Sequence, residues 1–100
     1  MKGYVLSPAA TADIEQILAF LDEHAPHAVD AVLARVRAAM RRIAARPGIG
    51  HLREDLADKP LRFVTVWNYL IVSRIARPVE IVRVVHGARD VARMLRARRR

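Results

Sequence analysis

Apolar residues recur at helical spacing in two successive segments of the first half of the chain. The first stripe consists of Ile14, Ile17, Leu18 and Leu21. The second, longer stripe consists of Val29, Val32, Leu33, Val36, Met40 and Ile43. A spacing of i, i+3, i+4 and i+7 predicts amphipathic helices. Ser7-Pro8 begins the first helix, His24 lies near its end, and the second runs from Pro26 to the break at Pro47-Gly48. The two segments therefore form a helical hairpin.

The second half of the chain changes to an alternating pattern that is rich in Val, Ile and aromatic residues. Its three runs are Leu61 to Val66, Tyr69 to Ile75 and Val79 to His86, and a shorter run near the N-terminus is Tyr4 to Leu6. Such runs predict strands, and the short breaks between the last three favour antiparallel hairpins. Residues 47–60 contain two Gly and two Pro without a sustained period, which indicates a loop.

A last short helix is predicted after Asp90, with Val91, Met94 and Leu95 facing inward. The element order is then β-α-α-β-β-β-α, which predicts an α+β fold: a helical hairpin packed on a mainly antiparallel four-stranded sheet. The other face of the sheet is expected to be only partly covered and to have a partner. With 100 residues and 53% hydrophobic content, the chain can form one core and not two. Residues 1–97 are assigned to a single domain and residues 98–100 to a basic C-terminal end.

Charge separates the two halves of the chain. The net charge is +8, from 18 Lys and Arg against 10 Asp and Glu. Residues 1–50 carry six basic and five acidic side chains, whereas residues 51–100 carry twelve and five. A surface of this sign attracts polyanions such as nucleic acid, an acidic protein or anionic lipid. The functional surface is therefore expected in the second half.

Several classes of protein are not expected. The chain has no Cys and its four His are scattered, so we expect no metal site and no cofactor. The longest stretch without a charge is the eleven residues from Phe63 to Ser73, too short for a spanning helix of ~20 residues. The N-terminus lacks the pattern of a signal peptide. We expect no membrane association and a location in the cytoplasm.

The run from Val79 to Asp90 is similar to a segment of a known family. It resembles the last strand and following turn of ParE-type toxins, in which an apolar strand with one Arg precedes His-Gly-x-Arg-Asp, here residues 86–90. Three further pieces agree: Tyr69-Leu70-Ile71-Val72-Ser73-Arg74, Arg62-Phe63 and Ala45-Arg46-Pro47-Gly48-Ile49-Gly50. Together they cover residues 4–95 in the same element order. The chain is thus similar to the RelE/ParE superfamily of toxins from type II toxin-antitoxin systems.

Two mechanisms occur in this superfamily, and the residues present favour one of them. RelE-type toxins cleave messenger RNA on the ribosome, whereas ParE-type toxins poison DNA gyrase. RelE-like ribonucleases place an Arg directly after the third-strand aromatic and a Tyr or His late in the C-terminal segment. This chain has Leu70 after Tyr69, and Arg93-Met94-Leu95 in the late segment. The resemblance therefore implies the ParE branch, a toxin that acts by binding, and the alternative is a RelE-type endoribonuclease acting at the ribosome.

The candidate site residues lie on the strands and after them. His86 is the weak candidate for an acid or base, although a lone His at a strand end more often caps a backbone group. Arg83 alternates with Ile81 and Val85, so its head can reach either solvent or a carboxylate. The residues assigned to antitoxin or target binding are Arg62, Arg74, Arg83, His86, Arg89 and Arg93. Trp67 is predicted at a turn, and the pattern leaves open whether it is a core residue or an exposed anchor.

The partners follow from the resemblance and from the charge. We expect a cognate ParD-like antitoxin bound to the toxin in a hetero-oligomer, with DNA gyrase as the target. An acidic, amphipathic chain suits a basic, partly uncovered sheet. Direct nucleic-acid binding is ranked last, because the sequence shows no obvious stacking platform or recognised binding motif.

Overall fold

The computed structural model describes residues 3–52 and 61–87 of the chain. Its helices are α1 (Pro8–His24) and α2 (Val29–Ala45), joined by a 3-10 turn at Pro26–Ala28. Its strands are β1 (Tyr4–Leu6), β2 (His51–Leu52), β3 (Leu61–Val66), β4 (Tyr69–Arg74) and β5 (Val79–His86). The predicted α+β fold is confirmed, with two helices packed on a sheet, and the order of the described elements is β-α-α-β-β-β-β.

The start of α1 joins the first helix to the sheet. Pro8 occupies the first turn, where its missing N–H removes no helical hydrogen bond. The Oγ of Ser7 accepts a hydrogen bond from the backbone N–H of Ala10 at 3.0 Å and donates one to the carbonyl of Val82 at 2.7 Å. The N–H of Ser7 also donates to the carbonyl of Ile81. One residue therefore caps α1 and fixes it to β5.

The sheet has the strand order β1-β5-β4-β3-β2. β1 runs parallel to β5, and the other neighbouring pairs are antiparallel. The fifth strand corrects the sequence prediction, which assigned residues 47–60 to a loop. His51 and Leu52 pair with Phe63 and Arg62. A strand of two residues is too short to produce an alternating pattern, so the sequence could not reveal it.

Both faces of the sheet carry buried apolar side chains. The larger cluster lies between the sheet and the helices and includes Ile43, Ile71 and Ile81, all 0% exposed. The residues of the second cluster are 0–7% exposed, and they are Leu61, Phe63, Leu70, Val72 and Val85. The face opposite the helices, which was expected to be only partly covered, is therefore covered at these five positions.

A bulge in β5 changes which side chains share a face. Val72 pairs with Arg83 and Ser73 pairs with Ile81, so Val82 is an extra residue on β5. An extra residue shifts the alternation by one position. Ile81 consequently faces the helices, whereas Arg83 lies opposite Val72, a residue of the second cluster. The predicted alternation of Arg83 with Ile81 is wrong for this reason.

No helix in residues 3–52 or 61–87 has the length and apolar character needed to cross a bilayer. The same residues contain no group of three or more His, Asp or Glu side chains placed to hold a metal ion. Several sequence predictions lie outside the described residues. They are the last helix, the positions of Arg89 and Arg93, residues 53–60 of the predicted loop and the basic end at residues 98–100.

Candidate functional site

The side chain of Asp13 connects α1 to the edge of β5. Its Oδ2 accepts hydrogen bonds from Nε of Arg83 at 2.7 Å and from the backbone N–H of Val84 at 2.9 Å, and its Oδ1 accepts one from Nη2 of Arg83 at 3.0 Å. β1 pairs with β5 only as far as Ile81, so the carboxylate satisfies a donor that lies beyond the end of β1. The head of Arg83 thus meets a carboxylate of its own chain.

A cavity of about 260 Å³ opens between α1 and the adjoining ends of β4 and β5. It is lined by Asp13, Gln16, Ile17, Phe20, Tyr69, Val84 and His86. Tyr69 and His86 face each other across the two strands, and their rings meet edge to face with centroids 6.1 Å apart. The third-strand aromatic and the strand-end His that carried the resemblance are therefore adjacent.

A second recess, of about 250 Å³, adjoins the same ring pair. It is lined by Thr65, Trp67, Asn68, Tyr69, Leu70, His86 and Gly87. The N–H of Gly87 donates to the carbonyl of Asn68 at 2.7 Å, which fixes the tip of the β3–β4 hairpin to the end of β5. A Cβ at position 87 would lie 3.3 Å from that carbonyl oxygen, so glycine permits this close approach. Tyr69 and His86 line both recesses.

Two exposed aromatic side chains border the recesses. Phe20 is 54% exposed and its ring stacks on His24 at a centroid distance of 4.2 Å. Trp67 is 50% exposed, and the guanidinium of Arg35 lies 5.1 Å from its ring centroid. The sequence reasoning did not single out Phe20. The feature of the sequence that could have indicated its exposure is that this aromatic residue lies off the apolar stripe of the first helix.

The three predicted binding arginines that the structure describes do not share one face of the sheet. Arg74 and Arg83 lie opposite Leu61 and Val72, which belong to the second cluster, whereas Arg62 alternates with Leu61 and therefore faces the helices. Arg74 forms an exposed ion pair with Glu80, with Nη2 and Oε1 2.6 Å apart. Arg74 and Arg83 are therefore each paired with a carboxylate of the chain.

Arg62 and Ser73 form a different environment on the helical side of the sheet. They are directly paired across β3 and β4. Nε of Arg62 and Oγ of Ser73 are both buried and have no hydrogen-bond partner in the part of the chain that the structure describes. Ser73 is only 1% exposed. The Nε of Arg62 can only donate a hydrogen bond, and the hydroxyl of Ser73 is also able to donate one. The two groups together therefore suit an acceptor such as a carboxylate.

The described residues of the first cavity supply some, but not all, of the groups that RNA cleavage needs. Attack by a 2′-hydroxyl requires a base, an acid and cations that stabilise the developing phosphorane charge. Tyr69 and His86 are side chains of the kind that serve as acid or base, but the residues that line the cavity include no Lys or Arg among those described, and one of them is Asp13. The guanidinium of Arg83 is held by that same carboxylate.

Comparison with known proteins agrees with the fold and with the residues at the end of β5. A search of curated proteins gives no significant match. The family model described as ParE toxin of type II toxin-antitoxin system, parDE, matches residues 4–91. That range contains both helices, the whole sheet and the run from Val79 to Asp90. The chain therefore belongs to the ParE toxin family of type II toxin-antitoxin systems.

Proposed function

We propose that this toxin acts in the cytoplasm by binding and inhibiting DNA gyrase, and that a ParD-like antitoxin neutralises it in a hetero-oligomeric complex. Membership of the ParE family supports a toxin with an antitoxin partner. The observation that carries the choice of binding over catalysis is the cavity beside Tyr69 and His86, whose described lining contains Asp13 and no basic side chain. Such a lining offers no described cation to the negative charge that develops on a phosphodiester during cleavage.

The alternative is a ribosome-dependent endoribonuclease of the RelE type. The adjacency of Tyr69 and His86 favours it, because two groups able to transfer protons share one cavity. The alternative still needs a cation for the phosphorane. Leu70 occupies the position where the related ribonucleases place an Arg, and its side chain is buried in the second cluster. We therefore retain gyrase inhibition as the proposed activity.

The decisive experiment measures both activities on the same purified protein. We expect inhibition of gyrase supercoiling and intact messenger RNA on translating ribosomes. The variant His86→Ala provides the control for hidden catalysis, since a general acid or base contributes roughly 10²–10⁴-fold to a rate. Site-specific cleavage of the transcript that disappears in His86→Ala would assign the protein to the ribonuclease branch instead.

The antitoxin contact is proposed at Arg62. Arg74 and Arg83 already have the carboxylates of Glu80 and Asp13, so a partner must compete with an existing ion pair at each of them. Arg62 has a buried Nε that lacks an acceptor in the described residues, beside the equally unsatisfied hydroxyl of Ser73. A carboxylate of the antitoxin that reached Arg62 would give this Nε an acceptor. Arg89 and Arg93 remain proposed contacts on the ground of resemblance and charge.

Binding of the antitoxin to Arg62→Ala tests this assignment. Removing one member of a buried charge pair costs roughly 2–5 kcal/mol of binding free energy, mainly through faster dissociation. Arg74→Ala should cost less, and Arg41→Ala on the exposed side of α2 should cost under about 1 kcal/mol. Dissociation rates measured by surface plasmon resonance give the three values. Equal losses for Arg62 and Arg41 would show that the antitoxin is held by diffuse attraction and not by this site.

A further inference from the structure

Trp67 occupies an unusual position at the tip of the β3–β4 hairpin. Its backbone has φ +53, a region that bulky residues rarely adopt. Half of its side chain is exposed, although an indole usually gains by burial. An unfavourable backbone that exposes a large aromatic ring is the kind of outlier from which a function can be inferred. The hydrogen bond from Gly87 to Asn68 holds the tip in this arrangement.

The nearest side of α2 supplies positive charge beside this ring. Arg35 lies over the indole at 5.1 Å. Arg42 follows seven residues later, which places it on the same side of the helix about 10.5 Å further along. Both side chains are exposed. β3 and β4 have no acidic residue, and the one acidic residue of α2, Asp30, lies about 140° around the helix axis from Arg35. No carboxylate of these three elements therefore lies on the side of α2 that carries Arg35 and Arg42.

Two other arginines of α2 provide an internal comparison. Arg37 and Arg41 are also exposed, but helical geometry places them about 120° or more around the axis from Arg35. They therefore carry the same charge on the same helix, away from Trp67. A ligand held by general attraction to a basic protein would respond equally to either pair of arginines. A ligand held at Trp67 would respond only to Arg35 and Arg42.

We propose that Trp67, Arg35 and Arg42 form a binding surface for single-stranded nucleic acid, in which a base stacks on the indole and the arginines meet the adjoining phosphates. Single-strand binding combines an aromatic platform with a positively charged track. An acidic peptide could pair with the arginines, but its Asp and Glu residues have no flat ring to stack on the indole. Every nucleotide of a single strand has a base that can do so. The sequence placed nucleic-acid binding last for want of a stacking platform, and the exposure of Trp67 supplies that platform.

The single Trp of the chain makes a direct test available, because intrinsic fluorescence then reports on Trp67 alone. The probe is a twelve-nucleotide deoxythymidine oligomer titrated into the full-length protein at several salt concentrations. We expect saturable quenching of the fluorescence. For Arg35→Gln/Arg42→Gln, the slope of log K against log salt should fall in magnitude by about 1.4, since each phosphate contact on a single strand contributes about 0.7.

The matched control is Arg37→Gln/Arg41→Gln, which removes the same charge from the same helix and should leave the slope unchanged. Stacking is tested separately with a fluorescein-labelled oligomer and anisotropy. Trp67→Leu should weaken binding about five-fold or more, and Trp67→Phe should retain much of it, because stacking contributes at least about 1 kcal/mol per base. Circular dichroism establishes that each variant is folded.

Three results would overturn the proposal. An abasic oligomer of equal length that binds as tightly as the deoxythymidine oligomer would show that no base stacks. Equal loss of affinity in the two double-arginine variants would show diffuse attraction. Tighter binding of a poly-glutamate peptide than of the oligomer, with the same quenching, would identify the surface as a protein contact. None of these results depends on whether the protein inhibits gyrase.

Discussion

Replacing Asp13 by Ala should destabilise the fold through the backbone of β5 more than through the loss of an ion pair. The carboxylate of Asp13 is the acceptor for the N–H of Val84, a residue that is 1% exposed. Leaving a buried backbone donor without its acceptor costs about 1–3 kcal/mol. The side chain of Arg83 is 38% exposed, so losing that ion pair adds only about 0–1 kcal/mol. The expected cost is about 1–4 kcal/mol.

Two further variants separate these contributions. Asp13→Asn keeps an oxygen that can accept from Val84 and loses the charge, so we expect it to cost about 1 kcal/mol. Arg83→Ala leaves the carboxylate bonded to Val84 and should cost a similar amount. Glu15 is exposed on the same helix, and Glu15→Ala serves as the control, within about 0.5 kcal/mol of the parent protein.

Urea unfolding followed by far-UV circular dichroism measures the free energy of unfolding of each variant, provided that the slope of unfolding free energy against urea stays constant. The expected order of cost is Asp13→Ala first, then Asp13→Asn and Arg83→Ala together, then Glu15→Ala. If Arg83→Ala costs as much as Asp13→Ala, the ion pair and not the backbone donor is the main contribution, and the reasoning fails.

Three further substitutions test other parts of the fold by the same measurement. Gly50→Ala should cost over about 1 kcal/mol, because φ is +95 and the new Cβ would lie 2.8 Å from a backbone oxygen, whereas Gly48→Ala meets open space and should be nearly neutral. Ser7→Ala removes the cap of α1 and should cost about 1–2 kcal/mol, most of which Ser7→Thr should restore. Ile71→Ala, at a position that is 0% exposed, should cost about 2–5 kcal/mol. Its control Ile75→Ala, at a position that is 53% exposed, should cost under about 1 kcal/mol. For each of the three substitutions, a cost equal to that of its comparison variant would contradict the argument.

The helices and long strands could be predicted because each has a local signal in the chain. The stripe from Ile14 to Leu21 lies within α1, and the alternation from Leu61 to Val66 coincides with β3. The strand predicted from Tyr69 to Ile75 corresponds to β4, which ends one residue earlier, at Arg74. These features depend on residues a few positions apart, so the period of the apolar side chains was sufficient.

The site depends on contacts that no local pattern contains. Asp13 and Arg83 are seventy positions apart, and the sequence offers several other acids for the same Arg. The bulge at Val82 reverses the face on which Arg83 lies, and nothing in the run from Val79 to His86 marks where an extra residue falls. The exposure of Trp67 depends on a positive φ at a turn position. In a sequence, a Gly indicates such a backbone conformation and a Trp does not.

The two proposed contacts lie at opposite ends of β3, and this placement makes them separable. Arg62 is the second residue of the strand and Trp67 directly follows its last residue, a separation of five residues or about 17 Å. Neither side chain can reach a group bound by the other over that distance. An antitoxin carboxylate at Arg62 therefore leaves Trp67 accessible unless the antitoxin continues along the strand. A loss of antitoxin affinity in Arg62→Ala and a loss of oligomer affinity in Trp67→Leu consequently report on different surfaces of the same sheet.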